Sequence, residues 1–123
     1  MHKIYIKKGQ VKMNIYDTAN RLAGEIKQSE EYMNYKMAKQ TLNLNTGLKE
    51  KMAEFEKARY DVQIEMMQTG KNNEEKYKHV QDLYAELIEN PEAKRFFEAE
   101  TKFNVMIADV NKIIGEAIRD VIE

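Results

Sequence analysis

The chain has 123 residues, 42% hydrophobic and 33% charged, with one Pro, no Cys and a formal net charge of −1. That length bounds one domain. The lack of Cys excludes disulfides and thiolate-held metal or iron–sulfur centres, and it fits a reducing cytoplasm, the location expected here.

The first twelve residues, MHKIYIKKGQVK, stand apart. They carry Lys3, Lys7, Lys8 and Lys12 and no acid, which leaves 16 basic against 21 acidic residues, a net of −5, for residues 13–123. Ile4 and Ile6 alternate with Lys3, Tyr5 and Lys7 in a short strand-like pattern. Lys7-Lys8-Gly9 can be encoded by a purine-rich tract resembling a bacterial ribosome-binding site, three codons before Met13. We therefore expect a basic leader over 1–12, outside the natural start, and a single helical domain over 13–123. The mildly acidic body argues against direct nucleic-acid binding, which needs a field of Lys and Arg. No apolar run approaches the length that spans a membrane.

Helical periodicity begins at Asn14. Ile15, Ala19, Leu22 and Ile26 give one apolar line to about Gln28, and Ser29 then opens a second helix with Tyr32, Tyr35, Ala38 and Leu42 inward. Asn45-Thr46-Gly47 precedes a long third helix, about 47–68, on the line Leu48, Met52, Phe55, Val62 and Met66. Arg59 interrupts that line and must reach water or a carboxylate. Gly70 is placed to end the helix in the left-handed conformation. Glu74 and Glu75 open a fourth helix, with Tyr77, Val80, Tyr84 and Leu87 inward. Asn90-Pro91 is a start signal: an N-cap acceptor, then a proline where no N–H is needed. The last helix, about 91–122, carries two apolar lines, Phe96–Phe103–Val110–Ala117 and Ile107–Ile114–Val121. An echo at an offset of 45 pairs Tyr32, Leu42, Asn45 and Met52 with Tyr77, Leu87, Asn90 and Phe97. The prediction is all-α: about five helices in an antiparallel bundle.

Sites for chemistry are sparse. Glu75 and His79 are four apart, not the three of a paired di-metal helix motif, and the other histidine, His2, lies in the leader. Ser29 is the only Ser and suits a helix cap. No glycine-rich loop follows a strand. No catalytic, cofactor-binding or metal residue is assigned, no cofactor is expected, and the chain is read as not an enzyme.

The segments NIYDTANRLAGEIKQSEEYMNYKMAK and ENPEAKRFFEAETKFNVMIADVNKIIGEAI resemble the YlbF/YmcA/YheA family of small bacterial helical proteins. The resemblance rests on Asn14–Asp17, Ser29–Tyr32, Asn90-Pro91, Phe103 and Ile113–Glu116, and spans about Met13–Glu123. It implies an all-α, self-associating, cytoplasmic regulator that works through protein partners. The YlbF and YmcA branches are tied to competence, biofilm formation and sporulation, and to RNA processing in a complex carrying Fe–S clusters. Those clusters need cysteines, so this chain is closer to the YheA-like branch, and no functional residue carries over.

The assembly expectation comes from length. A continuous helix of about 32 residues is about 48 Å long, whereas a compact domain of this size has a radius of gyration of about 14 Å. Part of its stripe therefore needs cover from outside the subunit, and a dimer is the commonest solution. Phe103, Ile107, Val110, Ile114, Gly115, Ile118 and Val121 are the expected interface, with Gly115 admitting close approach of another helix. The function expected is regulatory or scaffolding, through self-association and protein partners. The rival readings are an adaptor in an RNA-processing complex and a carboxylate-based metal-binding or enzymatic bundle.

Overall fold

Most helix starts in this chain are set by one short polar side chain. Asn14 Oδ1 accepts from the N–H groups of Tyr16 and Asp17 at 2.9 and 3.3 Å, Ser29 Oγ from Tyr32 at 3.1 Å, and Asn45 Oδ1 from Leu48 at 3.1 Å. Asn73 Oδ1 accepts from Lys76 at 3.1 Å, and Asn90 Oδ1 from Glu92 and Ala93 at 2.8 and 3.3 Å. Each bond satisfies an N–H that the helix itself leaves open. In the computed structural model, which describes residues 6–7, 10–11 and 14–122, the helices that follow these caps are α1 (Ile15–Gln28), α2 (Glu30–Asn43), α3 (Thr46–Thr69), α4 (Glu74–Leu87) and α5 (Pro91–Ala117). Gly70 ends α3 at φ 71°, and its N–H donates to Met66 O at 2.8 Å, as its position predicted.

The all-α expectation holds, with two details added. Ile118 leaves helical geometry at φ −109°, ψ 6°, so the last helix stops at Ala117 and a short α6 (Arg119–Ile122) follows. Within the leader, β1 (Ile6–Lys7) pairs antiparallel with β2 (Gln10–Val11), Ile6 opposite Val11. Lys3, Lys8, Lys12 and the possible start at Met13 lie outside the described residues.

Two antiparallel pairs build the core: α2 on α5 and α3 on α4. They meet at one end. The buried side chains come from the later part of α2 (Ala38, Leu42), the first turns of α3 (Leu48, Met52, Phe55), the end of α4 (Leu87) and the first turns of α5 (Ala93, Phe96, Phe97, Ala99). Phe97 packs edge-on to Phe55 at 5.5 Å and against Tyr84 at 5.0 Å. Surface ties between α3 and α4 run from Lys51 to Glu86, and from Lys76 Nζ to Glu65 Oε2 at 3.3 Å, the latter off the line of a hydrogen bond.

The 45-residue echo has a structural counterpart. It carries the Asn45 cap onto the Asn90 cap, and Leu42, Leu48 and Met52 onto Leu87, Ala93 and Phe97, all buried. Exchanging α2 with α4 and α3 with α5 turns one packed pair into the other. The helix α1 has no counterpart in this exchange.

Candidate functional site

The face predicted for partner contact begins where α2 stops covering α5. Tyr32 and Tyr35 of α2 reach Phe103, with ring centroids 6.1 and 5.3 Å apart, and leave it half-buried. Beyond Phe103 no residue of α5 is buried. Ile107 and Val110 are half-buried, whereas Ile114, Ile118 and Val121 are 49%, 46% and 82% exposed. A Cβ added at Gly115 would meet nothing within 4 Å among the described residues, so none of their backbone uses the close approach that glycine permits there.

A second bare element was not foreseen. The helix α1 has the most sharply divided face of any in the chain, yet none of its residues is buried, and Ile15 is 73% exposed. Among the described residues it meets α2 and forms no comparable interface with α5. Ser29 explains its direction. That residue is extended (φ −69°, ψ 152°), its N–H and Oγ both donate to Ile26 O, at 3.1 and 2.6 Å, and its Oγ accepts from Tyr32. One residue therefore caps both helices and turns the chain between them. Sequence showed the cap; the side chain's two-way use needs coordinates.

These faces leave the chain with too much surface. A folded monomer of 14.5 kDa exposes about 6,900 Å²; this chain exposes 10247 Å². With residues 1–13 set aside at the fully extended maximum of about 170 Å² each, the other residues expose about 8,000 Å², against about 6,300 Å² for a compact monomer of their own mass, an excess of about 1,700 Å².

Other arrangements are polar. A groove of about 530 Å³ between α2 and α5 is lined by Glu30, Glu31, Arg95, Glu98 and Lys102 over Ala38 and Ala99. At its neighbouring edge Tyr35 Oη donates to Glu100 Oε2 at 3.2 Å. Burial, then the Glu100 charge and this bond, push the Tyr35 hydroxyl pKa up. Arg59 resolves its place on the apolar line within one turn: its guanidinium lies 5.2 Å from the Phe55 ring centre and donates to Glu56 Oε2 at 2.5 Å. Tyr77 and Tyr84, expected inward, are 46% and 41% exposed, although Tyr84 keeps one face on Phe97. No three His, Asp or Glu among the described residues come together to hold a metal ion, and none of the described helices is long and apolar enough to cross a membrane.

Comparison with known proteins places this geometry. The family described as "Control of competence regulator ComK, YlbF/YmcA" matches residues 15–119. A UPF0342 protein of Desulfitobacterium hafniense (strain Y51) is 36% identical over 110 residues, 89% of each chain. A second, of Symbiobacterium thermophilum, is 30% identical over 104 residues, covering 85% of this chain and 93% of its own. Among solved structures, a protein of unknown function (DUF964) from Bacillus stearothermophilus superposes with a TM-score of 0.77 at 17% identity, covering 87% of this chain and 94% of its own. YheA from Bacillus subtilis gives 0.64 at 23%, covering 89% and 99%. These two show the shared helical fold. The match over α1–α5, the curated relatives and the common architecture agree: the chain belongs to the YlbF/YmcA family, with a fold like that of YheA.

Proposed function

We propose that this protein is a non-enzymatic, cytoplasmic regulatory or scaffolding protein that acts by associating with itself and with protein partners. The observation that carries the reading is the distal half of α5 and the turn after it, where Ile107 and Val110 are half-buried, Ile114, Ile118 and Val121 are exposed, and no described residue is buried. The family's description as a control of a competence regulator supports a regulatory role. Burying such side chains contributes about 1.5–3 kcal/mol each, so a second copy set against this line gains more than most surface contacts offer. A self-complementary patch of this kind closes as a two-fold dimer.

The test is substitution of the line itself. Ile107→Asp with Ile114→Asp places two charges where the interface needs apolar contact, and sedimentation velocity should then report the monomer. Glu98→Ala, on the polar groove, should leave the wild-type species unchanged. A double variant that sediments like the wild type would remove the distal α5 line from the interface.

A further inference from the structure

We infer that the distal half of α5 is covered by α1 of a second copy, so that the dimer forms by reciprocal exchange of the first helix. This rests on the self-association proposed above and names the occupant. Four observations converge on it.

The first is length. The helix α2 runs antiparallel to α5 and covers it only as far as Phe103. The stretch beyond it, 104–117, has no buried residue and is fourteen residues long, and α1 also has 14.

The second is pattern. Laid antiparallel over residues 108–121, which takes in ten of those fourteen and runs on into α6, α1 sets Ala19 opposite Ala117, Leu22 opposite Ile114 and Ile26 opposite Val110, every pair apolar. This register is one residue from that of α2 on α5, where Tyr32 meets Phe103 and Tyr35 meets Glu100. At 3.6 residues per turn, no charged residue lies within about 70° of the centre of either line.

The third is direction. The double cap at Ser29 turns the chain between α1 and α2, and α1 makes at most a marginal contact with the α5 of its own chain. The matching face that α1 can reach without breaking those bonds is on another molecule. Exchange of a terminal helix is a low-cost route to a two-fold dimer.

The fourth is area. The surface in excess of a compact monomer is about 1,700 Å² per chain at least. A stable interface of ordinary size takes about 800 Å² from each partner.

The absence of native cysteine makes the test direct. Ala19 and Ala117 are both exposed, so Ala19→Cys and Ala117→Cys leave the fold undisturbed. The two variants, differently tagged, are co-expressed and treated with a bismaleimide that spans the roughly 8–10 Å between packed helices. The expected result is a covalent heterodimer of twice 14.5 kDa carrying both tags, and the same for Leu22→Cys with Ile114→Cys. Met67→Cys, far out on α3, should link to neither. A chain carrying both Ala19→Cys and Ala117→Cys that links within itself would overturn the exchange. So would a dimer by light scattering that gives no link in either mixture, an outcome that leaves the self-association standing. A monomer by light scattering with no link removes both.

Discussion

Tyr35 joins the core to the uncovered part of α5, with its ring on Phe96 and Phe103 and its hydroxyl on Glu100. Tyr35→Phe keeps the packing and removes one charge-assisted bond at a partly open site, so chemical denaturation at neutral pH should show a loss of about 1 kcal/mol. The loss depends on pH. In the folded chain the hydroxyl holds its proton more tightly than a free tyrosine, whose pKa is 10.0. Its contribution is therefore complete below about pH 10 and is lost as pH rises through the higher folded value. The gap between wild type and Tyr35→Phe should shrink above pH 10; a gap independent of pH would contradict the bond. Phe97 is the opposite case, buried on all sides by Phe55, Phe96 and Tyr84. Phe97→Ala should cost about 3–5 kcal/mol, a large share of the stability of so small a domain. Individual core residues such as Leu42, Met52 and Phe96 were legible in the sequence, because helical spacing marks the buried line. The exposure of Tyr77 was not, since an amphipathic ring at a flank position satisfies the same spacing.

Helix limits in this chain are local chemistry. Asn14, Ser29, Asn45, Asn73 and Asn90 each bond the opening turn they precede, and Gly70 supplies the left-handed exit from α3. Local chemistry is what sequence displays, so the caps at Ser29 and Asn90 and the exit at Gly70 were readable in advance. The stop at Ile118 was not readable, because neither Pro nor Gly marks it. Asn90→Ala should lower stability by about 1 kcal/mol, read as a drop of a few degrees in Tm. Gly70→Ala forces a Cβ into φ 71° and should cost about 1–2 kcal/mol although nothing lies near it. An unchanged Tm for Gly70→Ala would mean that α3 ends differently in solution. The helix α1 shows the limit of this reading. Periodicity marks its apolar line, but none of that line is buried within the described residues, and periodicity says nothing about what covers it.

At the scale of the whole molecule, two helix–cap–helix units, α2–α3 and α4–α5, related by the 45-residue echo share one core at one end, while α1 and distal α5 extend from it with no buried residue. The interface residues expected from sequence fall on the bare stretch and its margin at Phe103, because a 27-residue helix outruns a 14-residue partner whatever the details of packing. The exposure of α1 was hidden, because it depends on the turn at Ser29 and not on composition. With no thiolate and no gathered carboxylate–histidine cluster among the described residues, chelator should leave Tm unchanged; a fall would reveal a structural metal. The central claim is that this fold is finished by a second copy. Light scattering coupled to size exclusion, on the wild-type chain at micromolar concentration, tests it most directly. The account predicts a mass of twice 14.5 kDa or a higher multiple. A single peak at 14.5 kDa, with full helical content, would contradict it.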